Sequence, residues 1–146
     1  QTFVPIQDYQ IDHYKNRFLK YINPGFIKCV TDENDELVAF AITMPSFSNA
    51  LKKINGKVNF IGKLRLLHAK NFNHKGSLYL IGVRPDFQNK GVIAILFNEL
   101  QKFYNKFGIT EVETNPELIE NAAIQQLWKN YENNQHKNRA TFTKVI

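Results

Sequence analysis

Between Val83 and Val92 the chain reads V-R-P-D-F-Q-N-K-G-V, and these residue types suit one kind of chemistry, the holding of an anion. An apolar run, LYLIGV, leads in, and an amphipathic one, IAILFNELQKFYNKFG, leads out. A strand ending at Val83 therefore passes through a tight turn into a helix that begins near Lys90. The first backbone N–H groups of such a helix lack partners within it, and with the helix dipole they make a ready anion site. Gly91 has no Cβ and lets a ligand approach backbone closely, while Gln88 adds an amide and Arg84 or Lys90 adds charge. The same residues also read as plain punctuation, with Pro85, Asp86 and Gly91 making a turn and starting a helix. Neither GxxxxGKS/T nor GxGxxG occurs, so a P-loop and a dinucleotide fingerprint are set aside.

Acid–base candidates are fewer. Glu111 and Glu113 alternate onto one face of the run ITEVET, and Glu113 is the candidate base, acting directly or through water; the plainer reading is a solvated strand face. His13, His68, His74 and His136 are scattered, with no HExxH, and the single cysteine, Cys29, rules out a disulfide framework and a Cys-based zinc site. No metal is expected. One cysteine suits a reducing, cytoplasmic compartment, and no apolar run approaches the roughly 20 residues of a membrane span.

The elements that must position these groups follow from pattern. The 146 residues, 43% apolar, predict one packed domain over 1–146 of α/β (α+β) class. Pro5 to Ile22 predicts a helix stopped by Asn23-Pro24-Gly25. FIKCV and ELVAFAITM form a hairpin across TDENDE, and Pro45 closes its second strand. A broken helical segment runs from Ser46 to Gly76. SLYLIGV, nearly all apolar, predicts a strand buried on both faces. The next helix puts Val92, Leu96, Leu100, Phe103 and Phe107 on one face and ends at Gly108. ITEVET, a helix over 120–131, and a final alternating strand, RATFTKVI, complete a mixed sheet flanked by helices, with residues 77 to 114 supplying a parallel pair.

Net charge is +6, and its location matters more than its size. Lys52, Lys53, Lys57, Lys63, Arg65, Lys70 and Lys75 lie between Ser46 and Ser77 without one acid, while the remainder holds 12 basic and 13 acidic residues. This helical insertion, about 46–76, has four readings: a site for an acidic substrate, a contact for a ligand's phosphate, adhesion to an anionic membrane, and a solvated cover over the sheet. The cover is the reading adopted, its apolar side (Val58, Ile61, Leu64, Leu66/Leu67) packing inward. Nucleic acid is not expected, because Phe47, Phe60 and Phe72 are not interleaved as a stacking platform.

Val83, Pro85, Gln88 and Gly91, with a strand before and a helix after, resemble the acetyl-CoA motif of the GNAT (GCN5-related) N-acetyltransferases, V-x-P followed by Q/R-x-x-G-x-G/A. N-A-A-I-Q-Q-L-W, with Asn121 and Leu127, is similar to the family's second hallmark, and the element order agrees over nearly the whole chain. The stretch ETNPELIEN to HKNR also looks like the C-terminal half of larger bacterial GNAT-like proteins. With a start at Gln1 rather than Met, it suggests a fragment with a domain upstream.

The resemblance implies a GNAT fold and transfer of an acyl group from acetyl-CoA to an amine by direct attack. Gln88, Asn89, Lys90, Gly91 and Val92 would cradle the CoA pyrophosphate. Backbone of Ile81, Gly82 and Val83 would pair with the pantetheine arm and polarise the thioester carbonyl, and Asn121 would bond the same arm. Trp128 stands where the family's acid is tyrosine, which leaves Tyr131, one turn on, as the proton donor. The acceptor would be a small-molecule or peptide amine, an acidic one included, and a homodimer is compatible with the family's several modes of pairing. Ile93 and Trp128 keep a second reading open, a catalytically degenerate CoA-binding or scaffold module of a larger protein.

Overall fold

The computed structural model describes residues 6–17, 22–55 and 59–144. Two compact units divide it, Gln1–Glu113 and Thr114–Ile146.

In the first unit, helix α1 covers Asp8–Arg17, with Ile6 and Gln7 outside it, and Pro5 and Phe18 to Tyr21 lie outside the described residues. Asn23, Pro24 and Gly25 then turn the chain. The Asn23 Oδ1 accepts from Gly25 N at 2.9 Å and caps a 3-10 turn over Pro24–Phe26. Strands β1 (Ile27–Thr31) and β2 (Leu37–Pro45) pair antiparallel from Ile27↔Ile42 to Thr31↔Leu37, as the hairpin pattern predicts. Asp32 organises the turn between them by accepting from the N–H groups of Asn34 and Glu36 at 3.0 and 3.1 Å, while Asp35 takes a left-handed φ of 60°.

β2 is central, and its residues Ala39, Ala41 and Thr43 are almost fully buried. Small side chains there let a helix come close. That helix is α4 (Val92–Phe107), which packs on β1 and β2 and buries Val92, Leu96 and Leu100 at four-residue spacing. Full burial of each leucine is worth about 1.5–3 kcal/mol. Gly108, at φ 69°, ends α4 with Ile109 N donating to Tyr104 O at 2.9 Å, so the predicted glycine cap holds. The helix begins two residues later than expected, because Gly91 at φ 77° cannot be part of a right-handed helix.

β3 (Lys75–Val83) pairs antiparallel with β2 from Pro45↔Gly76 to Ala39↔Val83. β4 (Glu111–Thr114) lies beyond it, giving the order β1-β2-β3-β4. His74 O accepts from both Thr110 N and Glu111 N, so β3 and β4 start side by side and run parallel, as a strand–helix–strand unit requires. The sheet is mixed, as predicted. The expectation that β3 is buried on both faces fails: Leu78 is buried, whereas Tyr79 and Leu80 are exposed. An apolar run records composition and not which of its positions are covered.

The basic segment forms α2 (Ser48–Lys53) and α3 (Phe60–Asn71), broken as predicted. Its packing differs. Gly62 is buried and Leu66 and Ala69 half-buried, whereas Ile61, Leu64 and Leu67 are exposed. Of the predicted inward stripe, Leu66 packs inward and Ile61, Leu64 and Leu67 face outward, because small Gly62 and Ala69 permit closer seating than the bulkier side; Val58 lies outside the described residues.

In the second unit α5 covers Ala122–Trp128, within the predicted 120–131. Residues 139–144 carry no strand and are exposed, so the strand predicted from RATFTKVI is not formed over them; Val145 and Ile146 lie outside the described residues. Alternation alone supplies no ladder partner.

Candidate functional site: the strand-to-helix turn at Val83–Val92

The site is built by the register of β3. Thr43 pairs with Leu78 and Ile42 with Leu80, so Tyr79 is an extra residue, a β-bulge in mid-strand. Beyond the bulge, Arg84 N donates to Val38 O at 2.8 Å. Antiparallel ladders alternate, so Gly82 and Leu80 turn their backbone groups toward β2, and Ile81 and Val83 turn theirs toward the opposite edge. Four-residue β4 starts beside the start of β3 and ends at Thr114, well short of the level of Ile81. Of the three predicted strand residues, Ile81 and Val83 thus present backbone N–H and C=O outward. Gly82 instead makes room: a Cβ there would lie 2.7 Å from Phe40 Cε1.

The turn itself is rigidly made. Pro85–Phe87 is a 3-10 turn in which Phe87 N donates to Arg84 O at 2.9 Å and Gln88 N to Pro85 O at 3.3 Å. The Phe87 side chain packs against a cluster of Val38, Ala39 and Val92, anchoring the turn while its backbone stays outside. Asn89 and Gly91 are left-handed, at φ 61° and 77°. Among the described residues none accepts from the N–H groups of Asn89, Gly91, Val92 or Ile93. Apart from its chain neighbours, nothing among the described residues lies within 4 Å of where a Gly91 Cβ would be, so the approach to these donors is open. The turn has free donors, open space and a helix terminus, an arrangement that suits an anion.

The sequence pattern offers Arg84 as a phosphate ligand, but the structure uses it otherwise. Its Nε donates to Asp86 Oδ1 at 2.9 Å, its Nη1 to Glu36 Oε2 at 3.2 Å and its Nη2 to Asp32 Oδ2 at 3.3 Å, and its guanidinium lies 4.5 Å from the Phe87 ring centroid. The bond from Arg84 is the main cause holding the Asp86 carboxyl below its usual range. Burial pushes the Asp32 carboxyl upward, but the N–H groups of Glu36 and Asn34 and the charge of Arg84 outweigh it, and it too is lowered. Arg84 thus ties the hairpin turn to the loop and neutralises Asp86, which would otherwise repel an anion. Lys90, whose Nζ sits 5.3 Å from the Phe87 ring, is the cation at the turn's open side.

The remaining predicted residues are placed as follows. Glu113 is half-buried on β4, two residues beyond Glu111, which pairs with Lys75 Nζ. Asn121 and Tyr131 belong to the second unit. Asn121 caps α5, its Oδ1 accepting from Ile124 N at 3.4 Å, which leaves its amide NH2 to donate. Tyr131 N donates to Trp128 O at 3.0 Å, and the two rings are 6.3 Å apart. Trp128 Nε1 donates to both carboxylate oxygens of Glu117, at 2.8 and 2.9 Å, a partner the sequence did not disclose. His74, considered as a lone histidine, closes the α4 end by contacting Gly108 O through Nδ1 at 3.0 Å. Among the described residues there is no cluster of His, Cys, Asp or Glu able to hold a metal.

Comparison with known proteins gives the family and the fold. The Acetyltransferase (GNAT) family profile matches residues 3–130, and the chain belongs to that family. Among solved structures, the aminoglycoside antibiotic 6′-N-acetyltransferase AAC(6′)-IG from Acinetobacter haemolyticus is 14% identical with a TM-score of 0.59, covering 98% of this chain and 85% of that one. An aminoglycoside acetyltransferase from an uncultured soil metagenomic sample, in complex with sisomicin, is 11% identical with a TM-score of 0.52, covering 100% and 78%. The aminoglycoside N-acetyltransferase AAC(6′)-Iy, in complex with CoA, is 16% identical with a TM-score of 0.50, covering 82% and 75%. These similarities establish the GNAT fold. No curated protein matches.

Proposed function

We propose that the chain is an acetyl-CoA-dependent N-acyltransferase that moves the acyl group to an amine by direct attack. The observation that carries this is the turn at Gly91, where the N–H groups of Asn89, Gly91, Val92 and Ile93 have no acceptor among the described residues, at the open start of a 16-residue helix. In this reading Gln88, Asn89, Lys90, Gly91 and Val92 hold the pyrophosphate. Outward backbone of Ile81 and Val83 binds the pantetheine arm, and Asn121 adds its amide NH2. One of the strand N–H groups polarises the thioester carbonyl, the kind of donor whose loss slows acyl transfer about 10²–10³-fold.

The amine nitrogen forms a bond to the carbonyl carbon, the carbon–sulfur bond breaks, and the sulfur leaves as a thiolate. Glu113 takes the proton lost from nitrogen, directly or through water, and Tyr131 returns one to sulfur. Most of the acceleration comes from holding amine and thioester together. Residues 1–146 act as one domain in this account, with 46–76 as an insertion.

A second reading, a module that binds CoA without turnover, is favoured by one observation: the Trp128 N–H is already committed to Glu117. Release of free CoA thiol, followed with a panel of amines that includes an aminoglycoside, a polyamine and an acidic peptide, separates the two. Turnover that falls about 10²–10⁴-fold in Glu113→Gln supports the enzyme and its base. Binding of acetyl-CoA with no thiol release from any amine supports the module.

A further inference from the structure

Helix α3 has three faces where a surface helix ordinarily has two. Gly62, Leu66 and Ala69 form the packed seam. Opposite it, Leu67 (55% exposed), Phe60 (77%), Leu64 (52%), Ile61 (58%) and Phe72 (72%), just past the helix end, stand in solvent. At 3.6 residues per turn these five fall within an arc of about 140°, interrupted by His68 and Asn71. Arg65 borders one edge of the arc, and Lys63 and Lys70 border the other. A solvated cover has no use for two phenylalanines and three aliphatic side chains in water.

A groove of about 420 Å³ runs along the Arg65 edge, between α2 and α3. Ala50, Ile61 and Leu64 supply apolar walls, and Lys53, Arg65 and His68 supply cationic or donor groups. Arg65 is held in place by Nη1 donating to Lys53 O at 3.0 Å, which leaves the rest of its guanidinium to donate outward. Between Ser46 and Ser77 the sequence has seven basic residues and no acid, and of the seven Lys75, at the start of β3, pairs with Glu111.

Charge decides between occupants. Two copies of this face meeting each other would bring like charges together, which opposes self-association. A small soluble anion would sit in the groove and leave Phe60 and Leu67 uncovered. An anionic bilayer satisfies both halves, since apolar side chains enter the interface while flanking lysines and arginine extend to the headgroups. We infer that α3 is a docking face for anionic phospholipid, with the arc from Leu67 to Phe72 in the interfacial layer and a headgroup phosphate in the Lys53–Arg65–His68 groove. The inference is independent of the acyl-transfer reading. Among the described residues no helix is long and apolar enough to cross a membrane; the contact inferred is that of the α3 face with the bilayer surface.

Co-sedimentation of the full chain with phosphatidylcholine vesicles containing about one-third phosphatidylglycerol tests it, at low and high salt. Expected are binding to the anionic vesicles, little to pure phosphatidylcholine, and at least about tenfold loss in Leu64→Glu/Leu67→Glu. Both positions are more than half exposed, so circular dichroism should be unchanged; should that variant misfold, Lys63→Gln/Lys70→Gln must weaken binding in its place. No binding to either vesicle, equal binding to both, or full binding by a folded variant overturns the inference. So does complete displacement from vesicles by inorganic phosphate or heparin, which would mark a site for soluble anions.

Discussion

Arg84 Nη2 lies 3.3 Å from Asp32 Oδ2, joining residues 52 positions apart in sequence. The same guanidinium holds Glu36 and Asp86, so the β1–β2 turn and the turn that precedes α4 are fastened by one side chain. The arrangement frees backbone rather than side-chain charge for a ligand.

The cluster has a pH signature. Asp32 and Asp86 both titrate below the ordinary 3.8. A carboxyl lowered in the folded state adds stability that is complete above its unfolded value and is lost as pH falls through the folded one. Melting temperature should therefore drop more steeply below pH 3.8 in the wild type than in Arg84→Gln. Parallel curves would show that the cluster contributes nothing.

Gly82→Ala should destabilise the first unit by about 1–3 kcal/mol, because the new Cβ would meet Phe40 Cε1 at 2.7 Å. Urea unfolding checks this, and pairing with Phe40→Leu should recover most of the loss. Absence of rescue would mean that the ring is not what glycine accommodates.

These two relationships were not legible in the sequence, and the reason is general. Asp32 and Glu36 read only as a polar turn, and nothing local says that Arg84 would find them. Pro45, Gly91 and Gly108 were legible because each acts through its own backbone. The burial of α3 was misjudged because apolar residues occur on two of its sides, and periodicity does not say which meets the sheet. The alternation in RATFTKVI likewise needed a partner strand to become structure. The bulge at Tyr79 left no sequence mark, although it precedes the residues whose backbone faces the open edge.

Trp128→Phe removes the donor to Glu117 and should cost about 1–3 kcal/mol of stability. If Tyr131 is the proton donor, Trp128→Phe should leave the acyl-transfer rate within a few-fold, whereas Tyr131→Phe should lower kcat with little change in KM. A large loss of kcat from Trp128→Phe alone would move the acid role away from Tyr131.

The Tyr104 hydroxyl on α4 is buried near Thr43 and has no hydrogen-bond partner among the described residues, while Thr43 Oγ1 donates to Phe26 O at 2.8 Å. Burial pushes the Tyr104 hydroxyl up from 10.0 despite the influence of Thr43. Tyr104→Phe should be neutral or stabilising by up to about 1 kcal/mol, and a loss above that in thermal unfolding would mean that the hydroxyl is bonded in solution.

The central claim is that the turn at Gly91 is a pyrophosphate cradle. Thermal unfolding with and without acetyl-CoA, for the wild type and Gly91→Glu, tests it most directly. Saturating ligand at 100 times its dissociation constant should stabilise the wild type by about 2.7 kcal/mol. The glutamate would put a side chain and a negative charge into the open approach, and that variant should show no shift while keeping its fold. Equal shifts in both proteins, or none in the wild type at millimolar ligand, would contradict the account.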